Sequence, residues 1–196
     1  MIASPEEVVE AAAYTLLRGE RLDTSTLAAE LGISRVTLYR RVGNRDAILG
    51  EALWVMARGA LLIATEVHDA RPPGAEPPRR LRLLEIAEEF RHLVSIAPAL
   101  QRLIAEEPTT TLRIVTDPRG RVQPRLVEAY TDLFQRDVDE LGLVPQVPLP
   151  VLAFAVVRLA ESFLYSDVMV ARAPDLAAAT TVLDALVTGV IGLSSS

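Results

Sequence analysis

The residues best suited to chemistry lie between positions 24 and 46, where Arg35, Arg40, Arg41 and Arg45 stand among Thr26, Ser34, Thr37 and Tyr39. No acid falls between residues 34 and 45, so this stretch carries a local charge of +4 in a chain whose total is −6. A guanidinium is permanently charged and donates from a planar fork, which suits phosphate oxygens and guanine edges. Hydroxyl groups supply short phosphate contacts that set register. With a net negative surface and a pI near 5.0, the chain must meet any polyanion locally. The same spacing also fits an ordinary helix pair with solvated arginines. Arg41 can equally pair with Asp46, and Val36 can pack on a thymine methyl or face water.

The elements that position these side chains are legible nearby. Thr24 is expected to cap a short helix whose inward face is Leu27 and Leu31, with Ala28 small enough for another helix to cross. Gly32 falls where a helix end requires the left-handed conformation that only glycine adopts without penalty. Ser34 then caps a second short helix, with Leu38 pointing inward. Two helices at a steep angle around a glycine turn form a helix-turn-helix, whose second helix enters the major groove of DNA. A preceding helix is announced by Ser4 as N-cap, Pro5 at the first helical position and Glu6 and Glu7 in the first turn. Its stripe is Val8, Val9, Ala12 and Leu16, and Gly19 ends it.

The run Leu27-Ala28-Ala29-Glu30-Leu31-Gly32-Ile33-Ser34, followed by Thr37-Leu38-Tyr39-Arg40, resembles the DNA-binding signature of the TetR family of transcriptional regulators. Its place after one helix, ahead of a helical remainder of about 150 residues, strengthens the resemblance. The departures are Arg41-Val42, where the family often has His-Phe, and Arg45, where it often has Lys. The resemblance implies DNA contact by Thr26, Arg35, Thr37, Tyr39, Arg40 and Arg45, with Arg35 and Thr37 nearest the bases. Ser34 and Val36 complete the candidate DNA-binding set. It implies an all-α fold: residues 1–46 as a three-helix DNA-binding domain, and 47–196 as a larger helical domain for effector binding and dimerisation.

The remainder reads as helical because apolar residues recur at three and four without sustained alternation. Helices are expected from Asn44 to about His68, carrying Ile48, Leu49, Leu53, Met56, Leu61 and Ile63, then at about 79–96, 98–106, 122–141, 150–171 and 175–193. Four prolines and a glycine break the pattern within 71–78. A short turn is expected near Thr111 and a loop from Gly142 to Pro150. One helix-turn-helix buries little surface, so two are needed at a spacing of about one DNA turn. The apolar helices within about 150–193 are the expected homodimer interface, with Leu176, Ala179, Leu183, Leu186, Val187, Val190 and Ile191 as a stripe and Gly189 and Gly192 allowing close approach. The alternative is that this stripe is internal core.

By resemblance, a largely apolar small-molecule effector binds the helical domain, with Phe90, Leu103, Tyr130, Phe134, Arg158, Ser162 and Tyr165 as candidate lining. Arg158, Glu161, Ser162 and Tyr165 share a face, which admits a pocket, a dimer ion pair or a local Arg158 to Glu161 bond. The segment Glu161 to Val168 further resembles the QsdR-like subgroup of TetR regulators. Arg113, Arg119, Arg121 and Arg125 against Asp117 form a second basic patch, read as an acid-ligand site, a second phosphate contact or a solvated loop.

The composition excludes much else. Cysteine is absent and all 20 basic residues are arginine, which removes disulfides, thiolate chemistry, Schiff-base lysines and the Walker lysine. His68 and His92 have no metal-ligand spacing, and no nucleophile elbow or dinucleotide fingerprint occurs. No cofactor, metal or enzymatic activity is expected. The start lacks a secretory pattern and the longest relevant apolar run is Val151 to Val157, so a cytoplasmic protein without membrane partner is expected. The expectation is a repressor that binds a palindromic operator as a dimer and is released by its effector. The alternatives are a helical small-molecule-binding protein or enzyme without DNA binding, and a regulator governed by a protein partner.

Overall fold

The computed structural model describes residues 3–70, 80–169 and 174–193. The proline-rich break at 71–78, the end of the 150–171 helix and the side chains of Ser166 to Val168 lie outside the described residues. The elements run α1 (Pro5–Leu17), α2 (Thr24–Glu30), α3 (Arg35–Val42), α4 (Arg45–Asp69), α5 (Arg82–Ile96), α6 (Pro98–Glu106), α7 (Pro108–Thr116), α8 (Gln123–Leu141), β1 (Leu143–Pro145), α9 (Leu149–Met169), α10 (Leu176–Val190) and β2 (Ile191–Leu193). The fold is all-α apart from one small ladder. The chain divides into two compact units, Met1–Gly59 with Ile96–Gln123, and Ala60–Ser95 with Pro124–Ser196.

In the first unit, α1 opens on a complete capping box, Ser4 accepting from Glu7 N–H while the Glu7 side chain returns to Ser4 N–H. Its Val8, Ala12, Ala13 and Leu16 are buried, as are Leu27 and Ala28 of α2 and Leu38 of α3. The structure corrects the start of α2: its cap is Asp23, which accepts from both Ser25 and Thr26 N–H at 2.8 Å. A carboxylate satisfies two orphan donors and favours the positive end of the helix dipole, so it displaces the neighbouring threonine. The expected turn near Thr111 is a full helix, α7, begun by Pro108. Among the described residues α4 alone is long and apolar enough to cross a bilayer by length and composition. Its first half serves as core, with Ile48, Leu49, Ala52 and Leu53 buried in the first unit, while Leu62, Ile63 and Val67 farther along are exposed.

In the second unit, the expected loop after Gly142 contains β1, and the last helix ends at Val190, where β2 begins. The two strands pair antiparallel, Leu143 opposite Leu193 and Pro145 opposite Ile191. Gly142, at φ 62°, turns the chain out of α8 in the left-handed conformation, which frees the next residues for pairing. Gly192 therefore lies in a strand rather than on a helix face. The dimer stripe is corrected in part: Ala179, Leu183, Val187 and Ile191 are buried within the single chain. Spacing of four places 179, 183 and 187 on one face of α10, where α9 packs.

Asp137 of α8 is 1% exposed and accepts the Leu83 N–H at 3.0 Å, one of the donors left over at the start of α5. Burial pushes its carboxyl above the ordinary aspartate value, against the smaller opposing pull of that hydrogen bond. The folded state thus holds the proton more tightly than the unfolded chain. The stability this contributes is complete below the unfolded value and is lost as pH rises through the folded one. Asp137→Asn keeps an acceptor for Leu83 and cannot ionise. Its thermal midpoint should decline less than the parent's between the ordinary aspartate range and neutrality, and a profile parallel to the parent's would contradict this.

Candidate nucleic-acid interface

The head is framed by two glycines. Gly32 takes φ 64° with open space around it, so its backbone conformation alone requires glycine. Gly43 takes φ 111°, and an added Cβ would stand 2.9 Å from Ala47 Cβ, so neither conformation nor space admits a side chain where α3 turns into α4. Between them, Ser34 Oγ accepts the Thr37 N–H at 3.1 Å and lies 3.0 Å from Thr37 Oγ1. Leu38 is fully buried, which fixes the rotation of α3 and turns Arg35, Val36 and Arg40 outward. Val36 is 76% exposed. An apolar side chain held in water on a cationic helix suits a thymine methyl.

The candidate residues do not all stand free. The Tyr39 hydroxyl lies 2.9 Å from Thr24 Oγ1 and accepts from Arg35 Nη2 at 3.1 Å. Arg35 also lies over the Tyr39 ring, 5.6 Å from its centroid. The Arg35 and Thr24 bonds lower the phenol pKa from its ordinary value. Thr26 is exposed on α2, while Thr37, Tyr39 and Arg41 are half-buried. Arg40 and Arg41 make no ion pair among the described residues, and Asp46, the expected partner of Arg41, instead takes Arg113 at 2.6 Å.

Arg45 occupies a different environment. Its two terminal nitrogens donate to the Glu107 carboxylate at 2.8 and 2.7 Å, and its Nε donates to the Leu22 carbonyl at 3.3 Å. Arg21 adds a longer approach to Glu107 at 3.8 Å. Of the four local charges, Arg45 is thus balanced within the unit. The second basic patch is also largely paired, since Arg113 meets Asp46 and Arg121 meets Glu51 at 3.2 Å. Asp117 accepts the Arg119 N–H in the turn after α7. Gly50 lets this side approach α4 closely, with Arg121 Cβ at 3.2 Å and Ile114 Cγ2 at 3.4 Å from an added Cβ. Sequence reasoning missed Glu107, 62 residues from its partner. Glu107→Gln should lower the thermal midpoint by the equivalent of about 1.5–3 kcal/mol, the worth of a charged hydrogen-bonded pair. An unchanged midpoint would show that the pair does not hold α4 to α7.

The effector candidates are spread over both units. Leu103 is buried on α6 of the first. In the second, Phe90 and Tyr130 meet edge to face, ring centroids 6.3 Å apart and planes at 77°. Phe134, one turn beyond Tyr130, is fully buried. Burial raises the phenol pKa of Tyr130, and desolvation does the same for Tyr165. Arg158 and Ser162 are exposed, and Arg158 Nη1 donates to Glu161 at 3.0 Å, the local pair among the three readings.

A helix-turn-helix head on a helical body is the build of a one-component transcriptional regulator. Residues 80–188, more than half of the chain, match the family described as tetracyclin repressor-like, C-terminal domain. The chain therefore belongs to the tetracycline-repressor-like (TetR) family, and with it to the ligand-responsive transcriptional repressors. Comparison with curated proteins gives no match. Among solved structures, the TetR-family transcriptional repressor QsdR of R. erythropolis is 25% identical, with a TM-score of 0.81 over 98% of this chain and 97% of that one. AlkX of a Dietzia species, a TetR-family repressor implicated in biodegradation of n-alkanes, is 22% identical, with a TM-score of 0.62 over 97% and 98%. A TetR-family regulator of Mesorhizobium loti is 14% identical, with a TM-score of 0.51 over 94% and 93%.

Proposed function

We propose that the chain is a cytoplasmic, non-enzymatic repressor that binds a palindromic operator as a homodimer and leaves it when a small-molecule effector binds. The observation that carries this is the outward face of α3, Arg35, Val36 and Arg40, held by Leu38 in the core and bounded by Gly32 and Gly43. Arg35 and Thr37 read base edges, Val36 packs on a thymine methyl, and Arg40 binds phosphate. Thr26, Ser34 and Tyr39 hydroxyls fix register on the backbone. Arg45 acts at the same surface by setting the start of α4, its guanidinium being held by Glu107.

Dimerisation through about 150–193 is supported by Val151, Phe154 and Val182, each more than 40% exposed in the single chain, and by open space at Gly189. The effector pocket is proposed in the helical body around Phe90, Tyr130 and Phe134. Arg158, Ser162 and Tyr165 of the same unit are its further candidates, whereas Leu103 belongs to the first unit. The proposed functional division remains 1–46 for DNA and 47–196 for effector and partner copy. Because α4 is one unbroken helix from Arg45 to Asp69, tilting it would change the spacing of the two reading heads, and the effector need only prefer the conformation that does not fit DNA.

Selection of bound sequences from a random duplex pool tests the reading. Enrichment of an inverted repeat with half-sites about one helical turn apart is expected. No enrichment at low ionic strength would refute it.

A further inference from the structure

Arg91, on α5, is 3% exposed. A guanidinium carries five N–H donors and cannot easily discharge. Here Nη2 donates to Thr180 Oγ1 on α10 at 3.1 Å, while Nε and Nη1 have no acceptor among the described residues. Those two nitrogens account for three of the five donors. Burying a charge without partners is costly, and such a group is ordinarily paired or absent.

The acids that would pair with Arg91 are engaged elsewhere. Arg80 takes Glu88 through Nη1 and Asp184 through Nη2, the latter at 2.6 Å. Both carboxylates remain partly in water, at 48% and 31% side-chain exposure, whereas Arg91 does not. Desolvation consequently pulls the Arg91 pKa below its ordinary value despite these acids and the Tyr130 phenol. The surroundings are otherwise apolar and aromatic: Phe90 and Tyr130 form their edge-to-face pair beside it, and Ala87 and Leu183 are fully buried.

We propose that Arg91 is the anchor of the effector site and that it takes the carboxylate of a ligand whose body is apolar. A carboxylate provides an acceptor for Nη1 on the end fork or for Nε on the side fork, each shared with Nη2, and the counter-charge that Arg80 has withdrawn. An aliphatic or aromatic tail then lies among the buried apolar side chains. Thr180 is a positioning residue, holding the guanidinium through Nη2. The inference rests on the effector reading above, and it explains why an aliphatic core keeps an unpaired cation: the charge is a cost of the free protein that the ligand removes.

The test is thermal unfolding of the full chain, without DNA, against butyrate, octanoate, decanoate and benzoate, with methyl octanoate and methyl decanoate as neutral counterparts. At about a hundred times its Kd, a carboxylate of this set should raise the midpoint by about 5–10 °C. The corresponding ester should give a much smaller shift. Arg91→Met should be at least as stable as the parent without ligand and should lose the carboxylate shift, because it removes the unpaired charge together with the anchor. Thr180→Val should retain part of the shift.

An Arg91→Met protein that is several degrees less stable than the parent would show that the arginine is structural and overturn the proposal. Esters as effective as acids, or no shift with any acid, would also overturn it. Since the readout contains no DNA, these failures are separate from failure of the operator selection.

Discussion

An alanine at Leu38 is expected to cost about 3–5 kcal/mol and, with that stability, the binding of DNA. Leu38 of α3 is fully buried, and Leu27 and Ala28 of α2, the helix packed against α3, are buried as well. Removing its isobutyl group forfeits the transfer free energy and leaves a cavity, which together reach this size in well-packed sites. The head has few substitutes, because α2 and α3 are only 7 and 8 residues long and such helices depend on tertiary packing. Urea unfolding followed by tryptophan and far-ultraviolet signals measures the loss, and a duplex-binding assay measures the consequence. Val36→Ala on the same helix is the control. With its side chain in water, it should change stability by no more than about 0.5 kcal/mol while altering base preference. Equal stability losses at the two positions would mean that α3 is rotated from the orientation described.

Arg40→Ala is expected to weaken binding to every duplex by about 10- to 100-fold, the worth of one charge-assisted phosphate bond. It should also reduce the slope of log K against log salt by about one. Arg40 is exposed and makes no ion pair among the described residues, so the substitution removes a charge without breaking an internal bond. Arg45→Ala should behave differently. It breaks the bond to Glu107, so affinity should fall through loss of head geometry, with a salt slope close to the parent's. Arg119→Ala, at an exposed arginine in the turn after α7, should leave both quantities unchanged. Arg40→Ala binding with the parent's salt slope would remove Arg40 from the phosphate contacts.

The helix-turn-helix was legible because each of its determinants acts within a few residues. Ser34 caps a helix that begins at the next position, Gly32 ends one just before it, and Leu38 follows at the spacing that faces inward. Helix ends were less accurate where two adjacent residues competed, as Asp23 and Thr24 did for the cap of α2. Helix α7 was underestimated because its threonines, Ile114 and Val115 are β-branched and have modest helix propensity. Its formation also draws on packing, with Ile114 and Val115 buried and Arg113 bonded to Asp46. The apolar stripe of α10 was visible, but whether it met α9 or a second copy depends on the position of α9.

The amino-acid order alone determined the caps, turns and apolar periodicities, and so the helical class and the DNA-reading head, since these are local preferences of neighbouring residues. Only the tertiary structure decided which charges are free. Arg45 and Glu107 are 62 residues apart, Arg91 and Thr180 are 89 apart, and Arg80 and Asp184 are 104 apart. An arginine has the same charge wherever it stands in a sequence. Whether it is solvated, paired or buried without an acceptor depends on which distant carboxylates and apolar groups packing brings beside it.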